Sequence, residues 1–463
     1  MSRRLLAVIV LALACGGRSA TLGETGASSA GGASAIGAGG GQAGAMVAGG
    51  AGGGAPIAGA SGGGGAAFVT CPDLASAYGA VPFAVSPGGS QIELSLAPLA
   101  GDELMGFSLV EPVLPSSSVL RVGTFVPWKP WPMGPVPSVP FAAIGAEQSA
   151  LAPGHEAGTV ALAFPVFPSP PAPFPSGLQL AASVSPTTAL PLAPSVALDG
   201  GSASGEVPLF VTPSFDGHLV GHQPFANGHF QLDLAFVDGA PSIAWKVSKA
   251  SCATSALVAD GAALADGSVV VAFSASLPFG HCVPGEMEGM PSRLLLARWL
   301  GPPHALKAFG PALAVDGDRL AFVRVLPAPD GVWVAFRYAG LNAEAPPPVD
   351  VMRLTTAGKV VFGPVPITPA SALSVAIAPL GDGLAVAWQD FAGDPAGTLH
   401  ARSFDGALMP QAVTQVPRPP GLLTGRLALV TAPSGLDAIV GWVQEESAGA
   451  RAYVSRLTCA FPD

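Results

Sequence analysis

The feature that most constrains this chain is a short unit that recurs along it. Residues 378–388 read Ala-Pro-Leu-Gly-Asp-Gly-Leu-Ala-Val-Ala-Trp, which is a set of turn residues followed by an apolar run ending in an aromatic residue. Related units stand at 328–336 and 432–442, and weaker ones at 97–102 and 152–164. The spacing of about 50 residues indicates one supersecondary unit copied along the chain.

Each unit contains four apolar runs separated by turn residues. The runs 319–325 and 332–336 flank a Pro-Asp-Gly turn, which is typical of a tight antiparallel hairpin. A third run, as at 351–354, carries an arginine, and a fourth follows a glycine turn, as at 357–362. The arginines of the third runs are Arg298, Arg353, Arg402 and Arg456. Each unit therefore predicts a four-stranded antiparallel meander.

Repetition of such a unit is the pattern of an all-β protein of β-propeller architecture, in which four-stranded blades pack radially. Dividing residues 68–463 by the spacing predicts seven blades, with six to eight as the range. The least regular region is 191–264, because 238–245 and 266–273 both resemble the unit but lie too close together. A pair of β-sandwiches is the structural alternative, and it leaves the recurrence unexplained.

Composition agrees with short strands and turns. The chain has 61 glycines and 49 prolines, and charged residues make up 11 % of it. Small apolar residues between Gly and Pro favour strands over long helices. The formal net charge is −10, and Lys and Arg together number 20. These values argue against nucleic acid as a partner, because such binding depends on clustered basic residues.

The N-terminus has the layout of an export signal. Two arginines near the start are followed by an apolar core over 5–14 and then by Cys15. Residues 11–15, Leu-Ala-Leu-Ala-Cys, resemble the lipobox of bacterial lipoproteins, and the resemblance implies that Cys15 becomes the lipidated first residue of the mature chain. We predict a signal peptide over 1–14. Ordinary secretory cleavage is the alternative, since the residues before Cys15 also follow the small-x-small rule.

A Gly-, Ala- and Ser-rich segment follows the lipidated cysteine. Residues 15–67 have almost no side chains to bury, so we predict a disordered tether with an r.m.s. span of ~35–45 Å. We expect the protein to be located in the bacterial cell envelope, held by a lipid anchor in a membrane, which we expect to be the outer membrane. The alternative is that the protein is secreted. The folded region, 68–463, is expected to be a monomeric propeller displayed off that membrane.

Cysteine placement supports a closed ring. Four of the five cysteines remain after Cys15, an even number for an exported chain. Cys71 and Cys459 stand at the two ends of the folded region, and the first and last strands of a propeller meet in one blade. We therefore predict a Cys71–Cys459 disulfide, worth ~2–5 kcal/mol in a chain-entropy model. The remaining two, Cys252 and Cys282, are predicted to form a second disulfide.

Chemistry-bearing residues are sparse. Three of the seven histidines, His218, His222 and His229, make the segment 216–229 a weak candidate for a metal site. Imidazoles four residues apart share one face of a helix, but Pro and Gly in this segment favour a loop with solvated histidines. We therefore predict no catalytic residue, no bound metal and no cofactor.

In layout the whole chain is similar to bacterial surface lipoproteins that carry Gly/Ala-rich tethers and propeller-like repeats. The signal, the tether and the repeats lead to the hypothesis of an envelope-displayed propeller that binds a protein or glycan on one face without catalysis. One alternative is a propeller hydrolase or lyase acting on extracellular polysaccharide, and another is a structural lipoprotein with no specific ligand. Acidic, His and Arg side chains converging in the central channel favour the enzyme, and an apolar or Ser/Gly-lined channel excludes it.

Overall fold

The computed structural model describes residues 71–460 with internal gaps, and every regular element in this part of the chain is a β-strand. The internal residues outside the described set are 77–79, 84–92, 100–103, 115–116, 127–135, 145–148, 167–176, 193–194, 199–206, 224, 227–228, 239–243, 254–257, 276–292, 303, 305, 315–317, 341–345 and 433–434.

The strands form seven sheets, numbered here as blades in chain order. Before the first blade come β1 (Asp73–Ser76) and β2 (Val81–Pro82). Blade 1 contains β3 (Glu93–Pro98), β4 (Met105–Leu114), β5 (Ser117–Phe125) and β6 (Val139–Ile144). Blade 2 contains β7 (Ala150–Pro153), β8 (Val160–Val166), β9 (Gly177–Ser185), β10 (Leu190–Pro191) and β11 (Val196–Ala197). Blade 3 contains β12 (Val207–Ser214), β13 (Gly217–Gln223), β14 (Phe225–Ala226), β15 (His229–Asp238) and β16 (Ala244–Ala253).

The remaining blades follow the same order. Blade 4 contains β17 (Ala259–Ala263), β18 (Val269–Ala275), β19 (Arg293–Trp299), β20 (Lys307–Ala308) and β21 (Leu313–Ala314). Blade 5 contains β22 (Asp318–Ala328), β23 (Gly331–Gly340), β24 (Asp350–Thr355) and β25 (Val360–Pro366). Blade 6 contains β26 (Ala372–Leu380), β27 (Gly383–Asp390), β28 (Thr398–Phe404) and β29 (Thr414–Gln415). Blade 7 contains β30 (Leu422–Thr431), β31 (Asp437–Glu446) and β32 (Gly449–Ala460).

The seven blades close into a ring, which confirms the predicted propeller and its blade number. The first strand of each blade contacts the first strand of the next, and β30 of blade 7 contacts β3 of blade 1. These seven first strands, called the innermost strands below, therefore surround one channel. Blade 7 takes its fourth strand from the start of the chain, because β1 pairs antiparallel with β32.

Buried apolar side chains of the described residues form seven clusters, one in each seam between neighbouring blades. Because successive side chains of a strand point to opposite faces of the blade, one strand contributes side chains to two seams. In β27, Leu384, Val386 and Trp388 enter the seam between blades 5 and 6. Ala385 and Ala387 enter the seam between blades 6 and 7. Strands buried on both faces explain the continuous apolar runs of the sequence and the small residues in them.

The irregular region of the sequence resolves into ordinary blade positions. The segment 238–245 joins the third and fourth strands of blade 3, since Asp238 ends β15 and Ala244 begins β16. The segment 266–273 is the turn between the first and second strands of blade 4, together with β18. The two units are close in sequence because they occupy different positions in their blades.

One predicted disulfide is present. Cys71 and Cys459 are bonded, with their Cα atoms 5.2 Å apart and a sequence separation of 388. The bond links the start of the described chain to the last strand of blade 7. For the other predicted pair, Cys252 lies in β16 opposite Gln231, and Cys282 lies outside the described residues. Cys15, the signal peptide and the tether also lie outside them.

Candidate functional site

The innermost strands expose one backbone edge to the channel, and a recurring proline protects it. Proline occupies the same hairpin position in five of the seven innermost strands, opposite the start of the second strand. These prolines are Pro98, Pro153, Pro213, Pro327 and Pro379. Because proline has no N–H, each removes one donor that an edge strand would leave unpaired. The sequence unit therefore serves the fold.

At the opposite ends of these strands, several carry β-bulges. Register shifts interrupt pairing with the second strand near Leu209 in β12, Ala321 in β22, Leu373 in β26 and Gly425 in β30. The last three belong to consecutive blades. Bulges re-aim side chains and are common beside functional sites. We use the name bulge rim for Ala321, Leu373, Ser374, Gly425 and Arg426.

The bulge rim projects two large side chains. Leu373 is 52 % exposed, and the Arg426 side chain is 71 % exposed. Gly425 has φ of +73°, a conformation that glycine adopts without steric cost, at the point where β30 leaves its register with β31. An aliphatic and a guanidinium group thus stand on neighbouring innermost strands.

Hydrogen bonds across two seams fix the shape of the bulge rim. Arg337 of β23 donates to the carbonyls of Ala372 at 2.8 Å and Leu373 at 3.3 Å, the groups that the bulge of β26 frees. Its guanidinium also lies 6.0 Å from the ring centroid of Phe322, and burial lowers its pKa from the ordinary value. The Ser374 hydroxyl accepts the Leu427 amide of β30 at 3.1 Å. The bulges of blades 6 and 7 are therefore built as one unit.

Two ion pairs join innermost strands, and in both the arginine faces solvent. Asp260 and Arg324 are 3.4 Å apart, with side chains 9 % and 44 % exposed. Glu93 and Arg426 are also 3.4 Å apart, with side chains 20 % and 71 % exposed. In each pair the arginine is therefore the partner that solvent or a ligand can reach, while the acid is the more buried one.

Asp260 is the most perturbed acid of the innermost strands. Its carboxylate accepts the Val325 amide at 2.7 Å, on the channel edge of the next blade. Burial raises its pKa above the ordinary value, while the charge of Arg324 and the amide hydrogen bonds of Val325 and Gly261 oppose the rise. The residue holds two blades together and retains a proton more readily than a solvated aspartate.

Residues 217–223 of the predicted histidine segment form a strand, so the loop expectation was wrong for them. His218 and His222 both lie in β13 and are buried, at 1 % and 3 % exposure. Four residues along a strand separate them by about 13 Å, too far for one metal ion. His229 begins β15. Over the described part of the chain, no group of three or more His, Cys, Asp or Glu residues could hold a metal.

Two of the recurring arginines of the third strands, Arg298 and Arg353, have a structural role. Arg298 donates to the Asp266 carboxylate of its own blade at 2.6 Å and to the Thr356 carbonyl of the next blade at 2.6 Å. Arg353 repeats the arrangement one blade further, binding Asp330 of its own blade and the Gly406 carbonyl of the next. Each of the two arginines therefore joins a turn of its own blade to a turn of the next blade.

A separate pocket of about 170 Å³ lies on the outer part of blade 4. Its lining is mostly apolar, with Arg293 at one side. It is smaller than the usual range for small-molecule sites, which starts at about 300 Å³. The bulge rim is the better candidate site.

Sequence reasoning did not find the residues of this site. Arg337, Ser374 and Arg426 belong to different blades, and a single repeat carries no sign that they act together. The one local signal is Gly425-Arg426, which interrupts the apolar pattern of β30.

The fold and its site define a seven-bladed β-propeller with a bulged channel mouth. No family model matches the chain, and a search of curated proteins found no match. Among solved structures, a protein of unknown function from Dyadobacter fermentans is 8 % identical, with 84 % of this chain and 100 % of that chain covered and a TM-score of 0.48.

Two enzymes are also similar in fold. The α-L-arabinofuranosidase of Fusarium graminearum is 9 % identical, with 83 % of this chain and 98 % of that chain covered and a TM-score of 0.44. The Trypanosoma rangeli sialidase is 9 % identical, with 83 % of this chain and 58 % of that chain covered and a TM-score of 0.38. Likenesses at this level carry no conclusion about activity.

Proposed function

We propose that this protein is an exported, lipid-anchored β-propeller that binds a protein or glycan partner at the bulge rim and catalyses no reaction. The observation that carries the proposal is the set of bulges in three consecutive innermost strands, tied by Arg337 and Ser374. A site held in shape before binding loses less entropy when a ligand arrives.

The charged groups of the channel support binding over catalysis. The two acids with described side chains in the innermost strands, Asp260 and Glu93, serve different seams, one between blades 4 and 5 and one between blades 7 and 1. Glycosidic chemistry needs two carboxyl groups about 5–10 Å apart on either side of one bond. Asp260 and Glu93 instead each form an ion pair that joins two neighbouring blades.

The Cys71–Cys459 disulfide supports export, because disulfides persist in oxidising compartments. The lipid anchor rests on the Cys15 motif. Metabolic labelling with a fatty acid should mark the full chain and vanish in Cys15→Ser, and unchanged labelling of that variant would refute the anchor.

Site-specific photo-crosslinking tests the binding face. A photoreactive residue at position 373, on the bulge rim, should give a discrete crosslinked adduct in cells that export the chain. Position 361 on the outer strand of blade 5 is a matched control, since Val361 is 49 % exposed and Leu373 is 52 % exposed. Adducts at 361 with none at 373 would place the partner elsewhere.

The second candidate is a polysaccharide hydrolase, favoured by the raised pKa of Asp260 in the channel wall. In that case the chain should release reducing ends from an acidic or neutral polysaccharide, and Asp260→Asn should abolish release. Our proposal expects no release from either form.

A further inference from the structure

We propose that the bulge rim takes an acidic peptide segment in which a carboxylate stands beside an aliphatic side chain. The inference rests on the proposed function, since it names the ligand chemistry of the same site. It is argued from charge, apolar surface and backbone geometry.

The charge of the rim fits a carboxylate. Arg426 is largely exposed, and its bond to Glu93 is the kind of solvent-exposed ion pair that contributes little. A ligand carboxylate can therefore share this guanidinium at small cost, using its planar set of donors. Two further arginines of an innermost strand reach solvent: Arg319 of β22 is exposed, and Arg324 of β22 is 44 % exposed while paired with Asp260.

The apolar part of the rim fits an aliphatic side chain. Leu373 of β26 is 52 % exposed, which leaves most of an aliphatic side chain open to a ligand. Leu422, outside the rim on the neighbouring strand β30, is also exposed, at 42 %. None of the five rim residues is aromatic, so the rim lacks the flat platform on which sugar rings usually stack. This contrast favours a peptide over a glycan.

The backbone of the rim can bind an extended chain. Residues 425–427 have no partner in the register of β30 with β31. The Leu427 amide already donates a hydrogen bond to the Ser374 hydroxyl. The rest of this strand edge faces the channel, because β30 is an innermost strand. Extended peptides bind exposed strand edges through main-chain hydrogen bonds, with pockets for alternate side chains.

Fluorescence polarisation with the full chain tests the proposal. The probe is a fluorescein-labelled heptapeptide of alternating leucine and aspartate. We expect binding, with the Kd raised about tenfold in Arg426→Gln, which is a loss of about 1.4 kcal/mol, because the ligand carboxylate loses its charged hydrogen-bond partner. Arg451→Gln is the matched control, since Arg451 is another exposed, ion-paired arginine of blade 7.

Ser374→Ala removes the hydrogen bond that joins the bulges of blades 6 and 7, so it should weaken binding because the site is no longer held in shape before the ligand arrives. The melting temperature, measured beside the Kd, should stay near that of the parent chain. If Arg426→Gln lowers the melting temperature, Arg426→Lys replaces it, because lysine keeps the charge and loses the planar fork. A folded variant that binds the probe as tightly as the parent would overturn the inference.

Two further probes separate this inference from the proposed function. A peptide with asparagine in place of aspartate should not bind, and equal binding would contradict the role of charge. Binding of oligogalacturonate that is lost in Arg426→Gln, without binding of the peptide, would overturn the peptide chemistry and leave the rim as a binding site. Failure of both probes, together with no adduct at position 373, would overturn both proposals.

Discussion

At the scale of single residues, His218 shows how burial decides what a histidine does. Its ring is enclosed in the seam between blades 2 and 3, and Nε2 lies 2.8 Å from the Pro153 carbonyl oxygen. A carbonyl can only accept, so Nε2 donates. Burial lowers the pKa of His218 to about 4, the Pro153 hydrogen bond opposes this, and the nearby His155 adds to it. The imidazole is neutral packing material at physiological pH.

This pKa predicts an acid-sensitive contribution to stability. The unfolded chain takes up the proton near pH 6.5 and the folded chain only near pH 4. Because the folded pKa is depressed, the free energy of unfolding is highest above pH 6.5 and falls as the pH drops from 6.5 to 4, by about 3 kcal/mol for the full shift.

His218→Gln removes the titration and keeps a donor for the Pro153 carbonyl. Denaturant unfolding at pH 7.5 and pH 4.5 should show a smaller loss of stability in this variant than in the parent chain. Equal losses in both would show that His218 does not carry the acid sensitivity.

At the scale of elements, the arginine of the third strand was visible in the sequence and its role was not. Arg353 contacts Asp330 within its own hairpin unit, the Trp333 ring at 5.1 Å, and the Gly406 carbonyl in the next blade. Spacing within one repeat can indicate that an arginine recurs. It cannot indicate a partner on a neighbouring repeat, because that contact depends on how blades stack.

We therefore predict that Arg353→Lys destabilises the fold by about 1 kcal/mol, since lysine cannot bridge both turns and stack on Trp333 at once. Most of this loss should come from the hydrogen bond to the Gly406 carbonyl in the next blade. The ion pair with Asp330 contributes less, because Asp330 is 63 % exposed and the pair is screened by solvent. Urea unfolding measures the difference.

Arg451→Lys is the comparison, because Arg451 makes a single 3.8 Å ion pair and is 42 % exposed. It should change stability by less than about 0.5 kcal/mol. An equal effect of the two substitutions would mean that the bridge between blades contributes nothing.

At the scale of the whole molecule, the fold was largely predictable and the site was not. Hairpin units at a regular spacing identified the blades, and Cys71 and Cys459 at the two ends identified the closure. The burial of His218 and His222 in blade 3 was not predicted, because the glycines and proline of 216–229 indicated a loop. In the structure, pairing with β12 and β15 holds residues 217–223 as a strand. Packing between blades overrode local propensity there.

Closure predicts a specific failure when the disulfide is removed. The strands β1 and β2 pair with β32, and β1 also contacts β28 and β29 of blade 6. Without the covalent bond, Cys71→Ser should free this outer strand of blade 7 before the other blades unfold. We expect the free energy of unfolding to fall by ~2–5 kcal/mol, which lowers the melting temperature. We also expect early proteolytic cleavage near residue 77.

Cys15→Ser is the control for a cysteine outside the ring, and it should leave the melting temperature unchanged. An unchanged melting temperature in Cys71→Ser would show that hydrogen bonding of β1 to β32 suffices to close the propeller.

The two-sided packing of the strands also limits how this protein can vary in length. One residue inserted into β27 would send Trp388 into the seam that now holds Ala385 and Ala387, so insertions inside regular strands should be selected against. A bulge absorbs an extra residue and leaves later residues facing their own seam. The mouth of the channel can therefore gain or lose residues while the ring stays intact, which makes it the part of the innermost strands most free to acquire new partners.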